Sequence, residues 1–477
     1  MSITPSYDDL AYGDLTFHDT HPGLLAAVAA TVGHWTPPVN TARILELGCG
    51  TGFNILAMSQ SLPEASFVGI DLSAPQIARA NSVAREIGAR NVTFHCASID
   101  SWEAELHSFD FIIAHGIYSW VPSPIRIAIL RQVDRLLSPQ GVAYISYNTL
   151  PGWRLCQLVR DALRQAMDPT LPFIAQIPKA RAHMEQLLAA MAEPEAPYAA
   201  VLRTIWQTVS ATPDYYIAHE YLAEENTAVF FDQFAQAAAQ HNLQFLIEAR
   251  LYANSAYQSD EIAAALATAA GDDLLRREQH LDFLTGRFFR QSILCRALPA
   301  PQHDADPALL LDLNVSSSAE ILDRGDYILR VRQIWGKEVE VTDDACIAAL
   351  LALEPFGVRP VPIRDIEPAI LGALGMEGMR GLADPVTASV LLAGWRNGLW
   401  TLRADSPAMT HLVSDHPAAC PLARLQASLG AEPTSRLHRP VRLTPEELEL
   451  LRHLDGTQTG APAAALLRFA AAGLLAG

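Results

Sequence analysis

The first 150 residues predict an α/β fold, a parallel sheet covered on both faces by helices, and three observations carry that expectation. Short β-rich runs alternate with helical stretches. A glycine-rich turn follows the first run and opens a helix. An aspartate, Asp71, closes the second run, where open α/β sheets place ligand-facing carboxylates.

The elements follow in order. A helix over 22–32 precedes the sheet. Strands are expected at 43–47, 66–70, 92–97, 109–114 and 141–147, with helices at 54–61, 74–87 and 123–137. From Gly152 the pattern changes, and 153–210 carry helical periodicity, as in Met184, Leu187, Leu188 and Met191. Pro169, Pro172, Pro178, Pro194 and Pro197 are expected to punctuate that stretch into short helices. A helix at 231–241 and a strand at 243–251 then read as the last unit of the sheet. The expected domains are therefore 1–152 with 226–255 as the sheet domain and 153–225 as a helical insert.

Beyond a Pro/Ala-rich break at 298–307 the chain reads as mostly helical. Helices are expected at 343–353, 365–374 and 385–399, with a short strand at 400–403. Asp365 reads as an N-cap, with Pro368 in the first turn. Three helices and a short hairpin suggest a winged-helix-like module within a middle domain, 256–405. The remainder, 406–477, reads as a C-terminal helical domain, and the fold class as a whole is expected to add mostly helical middle and winged-helix-like C-terminal domains to the sheet. Thr444 caps its clearest helix, Pro445 follows, and Leu448, Leu451 and Leu454 form the apolar stripe.

Length and composition bound the function. At 477 residues, the chain is expected to hold two to four domains. Half of its residues are hydrophobic and 18% are charged, so a large core is available and general disorder is excluded. Lys+Arg number 34 against 52 Asp+Glu, a net charge of −18, and Lys179 and Lys337 are the only lysines. Residues 1–150 hold seven arginines and no lysine, a poor surface for tracking phosphates, so nucleic acid is not expected as a partner.

The N-terminal stretch carries Asp8, Asp9, Asp14 and Asp19 without a basic residue, the reverse of a signal peptide. The apolar runs are too short to span a bilayer, and Arg468 interrupts the last of them. Six cysteines lie far apart without a C-x-x-C pair, which fits reduced thiols in a cytoplasmic protein. The histidines show no metal-ligand spacing, so no metal is expected.

The site signal is R-I-L-E-L-G-C-G-T-G, residues 43–52. Gly48, Gly50 and Gly52 let the backbone approach a ligand while helix N–H groups point at it. Two cofactor classes compete for such a loop. A dinucleotide fold asks for G-x-G-x-x-G, and Phe53 stands where the third glycine would fall. Glu46, two residues before the first glycine, suits a cationic amine rather than a pyrophosphate. S-adenosylmethionine carries such an amine, and it is favoured over a nicotinamide or a flavin.

On Glu46, Gly48, Gly50 and Gly52 the sequence resembles the class I S-adenosylmethionine-dependent methyltransferases, with their E-x-G-x-G-x-G motif. The segments F-H-D-T-H-P (17–22), H-G-I-Y-S-W-V-P (115–122), S-Y-N-T-L-P-G-W (146–153), H-E-Y-L (219–222), F-F-D-Q-F (230–234) and Q-H-L-D-F-L-T-G-R-F-F-R-Q-S-I-L-C-R (279–296) narrow it. They resemble a bacterial subfamily with a methyltransferase regulatory domain, which includes lysine methyltransferases of outer-membrane proteins. The resemblance implies a Rossmann-like seven-stranded methyltransferase sheet, a helical regulatory or dimerisation insert, a middle domain and a C-terminal domain. It also implies a homodimer.

By the same resemblance Asp71 holds the ribose, Glu46 the methionine amine, and Ser98 and Ile99 the adenine. Ser98 departs from the aspartate that the family often places there. Cys49, Asn54, Leu72, Gln76 and His115 complete the expected cofactor set. His115, Tyr118 and Asn148 are the candidate catalytic residues. His115 could contact the cofactor or accept a proton, Tyr118 and Trp120 could line an acceptor channel, and Asn148 could hydrogen-bond a substrate amine. Tyr12, Phe17 and His21 are expected in an N-terminal lid, while His219, Glu220 and Tyr221 read as structural or interdomain. The D/N-P-P-Y/F/W tetrapeptide of DNA amino-methylating enzymes is absent, since His115-Gly116-Ile117-Tyr118 occupies its place. Protein lysine side chains are the expected acceptor. A small-molecule acceptor and a non-catalytic cofactor-binding module are the alternatives.

Overall fold

A computed structural model of the chain describes residues 13–168, 170–193, 195–251, 260–297, 307–325, 327–334, 336–379, 383–410, 413–457 and 459–476. Tyr12 and most of the 298–307 break lie outside them.

The central sheet has seven strands in the order β3-β2-β1-β4-β5-β7-β6. Its strands are β1 (Arg43–Leu47), β2 (Ser66–Asp71), β3 (Val92–Cys96), β4 (Phe109–Ala114), β5 (Leu137–Asn148), β6 (Leu243–Glu248) and β7 (Phe289–Arg296). The first five are parallel, and β7 inserts antiparallel between β5 and β6. All six residues of β4 are buried, as a continuous apolar run covered on both faces must be. Helices α1 (Pro22–Ala30), α2 (Phe53–Ser61), α3 (Ala74–Glu86) and α4 (Ser123–Leu136) accompany the sheet. The strand order reverses between β1 and its neighbours β2 and β4, so the turn after β1 opens onto the crevice where such sheets bind ligands.

The seventh strand corrects the expected boundary. The sheet does not end near residue 255, because Phe289–Arg296 returns to pair with β5 from Ala143–Leu294 to Asn148–Phe289. A buried arginine secures the return. Arg290 is fully buried and bonds Glu248 at 3.0 Å, Asp282 at 2.8 Å and Glu278 at 3.1 Å, and it lies 4.1 Å over the ring of Phe231. An arginine near the start of a strand does not announce burial, because burial depends on carboxylates contributed from elsewhere in the chain.

The insert consists of α5 (Trp153–Gln165), α6 (Phe173–Ala189) and α7 (Pro197–Ser210) around its own core, which includes Val159, Leu163, Met184, Leu202 and Trp206. Pro178 sits inside α6 without ending it, contrary to the expectation of short helices. The buried face of Ile177, Ala180 and Met184 carries the helix through the missing backbone bond. A short helical turn, α8 (Asp214–Tyr216), leads into a π-helical turn, Ile217–Leu222, whose six residues are all buried. Wide turns of this kind often occur at functional sites. Helix α9 (Phe231–Ala239) then leads into β6.

The region after 307 holds more strand than expected. Asn314–Ser316 (β8) pairs with Val361–Pro362 (β12) and Thr401–Arg403 (β13). Glu320–Arg324 (β9), Leu329–Arg332 (β10) and Glu338–Val341 (β11) form a second antiparallel sheet. The helix expected from Asp365 spans Ile363–Ala373, with Pro362 as N-cap, Asp365 in the first turn and Pro368 inside. Burial of Ile363, Ile366 and Ile370 on one face draws its start back past Asp365. In the last region Thr444 and Glu447 form a capping box, and Leu451, Leu454, Phe469 and Leu474 build a separate core. Among the described residues no helix is long and apolar enough to cross a membrane.

Candidate active site

The glycine turn is built by backbone geometry. Gly48 N and Cys49 N both donate to Ile70 O, at 2.8 and 3.0 Å, which ties the end of β1 to β2. Gly48 has φ 71°, and a Cβ there would stand 2.6 Å from the Ile117 side chain. Gly50 has φ 54° and donates its N–H to Asp71 Oδ2 at 2.9 Å, while Ser73 N donates to Asp71 Oδ1 at 2.9 Å. Both oxygens of Asp71 are thereby fixed, with lone pairs left to accept hydroxyl donors.

Glu46 lies beneath this turn. Its Oε1 accepts from Asn54 Nδ2 at 2.7 Å, and its buried Oε2 has no hydrogen-bond partner among the described residues. Burial pushes its carboxyl up to about 8; the Asn54 hydrogen bond lowers it and the Asp71 charge raises it further. At the carboxyl end of β3, Ser98 Oγ donates to Asp100 at 2.5 Å, which leaves its lone pairs to accept.

His115 ends β4. Tyr144 OH accepts from Gln291 at 2.7 Å and therefore donates to His115 Nδ1 at 2.9 Å, which puts the imidazole proton on Nε2. Burial, together with the Arg250 charge, lowers His115 to about 3, so the ring is neutral and a weak base. These features favour contact over the proton acceptance considered from sequence.

A cavity of about 1100 Å³ joins these groups. Glu46, Gly48, Cys49, Gly50, Asn54, Asp71, Leu72, Gln76, Ser98, Ile99 and His115 all line it. Gly52, expected with them, does not. It caps α2 at φ 76°, where a Cβ would stand 2.7 Å from Phe94, so its role is close helix–sheet packing.

The far wall comes from the end of β5, the insert and the turn before β7: Asn148, Trp153, Tyr216, His219, Glu220 and Phe288, with Trp120 from β4's loop. His219 and Glu220, read as structural, thus reach the cavity. Asn148 Nδ2 donates to Asn226 Oδ1 at 3.2 Å, and Asn226 Nδ2 to Glu220 O at 2.8 Å, which links β5 to the insert. Tyr118 is absent from the wall. It opens a 3-10 turn, Tyr118–Trp120, that sends its ring into the core against Phe234, edge-on at 5.3 Å.

The N-terminal segment straps the near side. Phe17 lines the cavity, and Asp14 accepts from Thr51 Oγ1 at 2.9 Å. His21 is buried away from it, donating to Ser61 at 3.0 Å and capping α1, so it serves packing rather than a lid.

Comparison with known proteins now bears on this geometry. The methyltransferase domain family matches residues 44–141, and the predicted methyltransferase regulatory domain matches 213–296. The PKMT C-terminal winged helix domain matches 415–475. The uncharacterized protein RP789 of Rickettsia prowazekii (strain Madrid E) is 36% identical over 290 residues, 61% of this chain and 52% of that protein. The matched part thus spans about half of that relative's length. RP028 of the same strain, also uncharacterized, is 33% identical over 241 residues, 50% of this chain and 96% of that protein.

The chain belongs to the S-adenosylmethionine-dependent methyltransferases that carry a methyltransferase regulatory domain. Its fold is that of PKMT2 from Rickettsia typhi in complex with AdoHcy, with a TM-score of 0.83 at 23% identity, covering 98% of this chain and 100% of that one.

S-adenosylmethionine fits the methyltransferase cavity on a direct observation: the unpartnered Glu46 Oε2 is an acceptor matched to the cofactor's amine. The regulatory-domain match begins at 213, so it takes in only the end of the 153–225 insert and continues through β6 and β7. The winged-helix match at 415–475 bears out a winged-helix-like C-terminal domain and does not fall on the helices at 343–403. Sequence reasoning missed Phe288, Phe289 and Gln291 as cavity residues, although the 279–296 segment that contains them had signalled the subfamily.

Proposed function

We propose that this methyltransferase transfers methyl groups from S-adenosylmethionine to protein lysine side chains. The observation that carries this reading is the composition of the far wall. Rings of Trp120, Trp153, Tyr216 and Phe288 stand with the buried carboxylate-bearing Glu220, a surround that suits an alkylammonium group. The likeness to PKMT2, a protein lysine methyltransferase, and the PKMT domain match support the same class of acceptor.

The protein's task divides between the two ends of the cavity. Glu46, oriented by Asn54, holds the cofactor's amine; Asp71 holds the ribose; Ser98 and Ile99 flank the adenine. When bound, the cofactor supplies an electrophilic methyl group on its sulfonium. At the other end the acceptor lysine must be neutral to attack. At a reference pKa of ~10.4, deprotonation costs ~4.6 kcal/mol at pH 7. Desolvation between the indole and phenyl faces lowers that cost, and the acceptor oxygen of Asn148 orients the amine. Enclosure and alignment, rather than strong acid–base groups, make the displacement efficient.

The dimer and the cytoplasmic setting belong to this proposal as well. Exposed Leu155, Ile174 and Tyr198 on the insert helices support self-association, which sedimentation of the intact chain tests. For activity, labelled S-adenosylmethionine is incubated with a bacterial protein extract, followed by acid hydrolysis and amino-acid analysis. Labelled methyl-lysine is the expected product. Label confined to small molecules would overturn the lysine assignment.

A further inference from the structure

The C-terminal domain meets the cavity wall from behind, where His438, itself outside the cavity lining, touches the lining residue Asn54. His438 is 1% exposed and lies in a turn bracketed by the Thr434–Pro440 bridge, with φ 60°. Its Nε2 stands 2.8 Å from Asn54 Oδ1. The same oxygen accepts the backbone N–H of Phe17 at 2.9 Å, which fixes the orientation of the amide, so His438 must donate to it from Nε2–H. The amide nitrogen is thereby turned toward Glu46 Oε1 at 2.7 Å and Thr20 Oγ1 at 3.1 Å. Thr20 receives that bond because its own hydrogen goes to Phe17 O at 2.7 Å.

The contacts around His438 seat the same turn on the strap. His18 Nδ1 donates to Leu437 O at 3.2 Å, Arg439 Nε donates to His18 Nε2 at 3.2 Å, and Thr16 meets Thr434 at 3.1 Å. A directed chain of donors therefore runs from His438 through Asn54 to Glu46. It ends on the carboxylate whose second oxygen has no partner among the described residues.

We propose that His438 is a positioning residue for the amino-acid end of the cofactor, so that seating of the C-terminal domain sets cofactor affinity. The proposal rests on the assignment of S-adenosylmethionine to this cavity and is independent of the acceptor. Without the His438 donor the Asn54 amide loses one of the groups that hold its oxygen in place. Glu46 then loses its fixed orientation toward the amine. The adenosine end, held by Asp71 and Ser98, has no contact with this chain of donors.

The test is His438→Asn, because asparagine tolerates a left-handed backbone and its side chain is too short to replace the imidazole Nε2. Calorimetry compares S-adenosylhomocysteine with 5′-methylthioadenosine, which keeps the adenosine and sulfur but lacks the amino-acid arm. The variant is expected to weaken S-adenosylhomocysteine roughly 3- to 10-fold, the range of one hydrogen bond, and to leave methylthioadenosine unchanged. Equal loss for both ligands, or loss for neither, overturns the proposal. Phe469→Leu, in the separate C-terminal core, controls for general loosening and is expected to lower Tm with both Kd values unchanged. In an Asn54→Ala background the His438→Asn change adds no further loss; an additive loss overturns the relay. Failure of the intact protein to bind S-adenosylhomocysteine at all overturns the cofactor assignment and this role with it.

Discussion

The ring of Phe17 lies 3.9 Å from that of His115, centroid to centroid, with the planes inclined at 40°. This contact brings the N-terminal strap against the end of β4, and both rings line the cavity. Two segments nearly a hundred residues apart thus share one wall.

Removing the ring opens that wall. Phe17→Ala is expected to weaken S-adenosylhomocysteine roughly 2- to 12-fold, the equivalent of about 0.5–1.5 kcal/mol for an aromatic pair. Titration calorimetry reads the change. A Kd within error of the parent protein would show that the strap contributes nothing to binding.

Glu46 is expected to make cofactor binding depend on pH. Burial raises its carboxyl to about 8, so the free site is largely protonated at neutral pH. Binding an ammonium group favours the carboxylate, so a proton is released and affinity rises as pH climbs from 6 toward 8. Calorimetry in buffers of different ionisation enthalpy is expected to reveal that release, and Glu46→Gln to abolish it. The stability effect has the opposite slope. The folded-state value lies above the unfolded 4.5, so Glu46's contribution is full below that value and is lost as pH rises through about 8. Glu46→Gln is accordingly expected to raise the Tm of the ligand-free protein at pH 8, although it binds the cofactor poorly.

Arg290 tests the return of β7. Its loss leaves Glu248 and Asp282 buried without their main partner, and Arg290→Ala is expected to cost about 3–5 kcal/mol in denaturant unfolding. A loss under about 1 kcal/mol, the median of an exposed pair, would mean that the buried network is replaced by solvent.

Tyr118 separates the core from the cavity. Because its ring packs on Phe234 and does not line the cavity, Tyr118→Phe is expected to leave kcat within about twofold of the parent, a difference under about 0.4 kcal/mol. A fall of a hundredfold would return Tyr118 to the catalytic group.

The glycine-turn side of the cavity was legible in the sequence because it is local. Glu46, the glycine turn, Asp71 and Ser98 lie at the ends of consecutive parallel strands, and one strand–turn–helix pattern places each of them at the same edge of the sheet. The far wall was much less legible. Trp153, Tyr216, Glu220 and Phe288 come from separate helices and turns whose mutual placement no spacing encodes. Tyr118 misled for a related reason: it stands in a 3-10 turn beyond β4, and its ring packs on Phe234, a residue of α9 far along the chain.

Strand alternation, glycine spacing and an acid before the first glycine are properties of short stretches, and by themselves they determined the fold class and the cofactor class. Tertiary structure decided that Phe289–Arg296 completes the sheet, that Gly52 serves packing, and that His438 stands 2.8 Å from Asn54 across 384 residues of chain. Those outcomes depend on long-range burial and on donor–acceptor matching. Such energies exist only once distant segments have excluded water from one another.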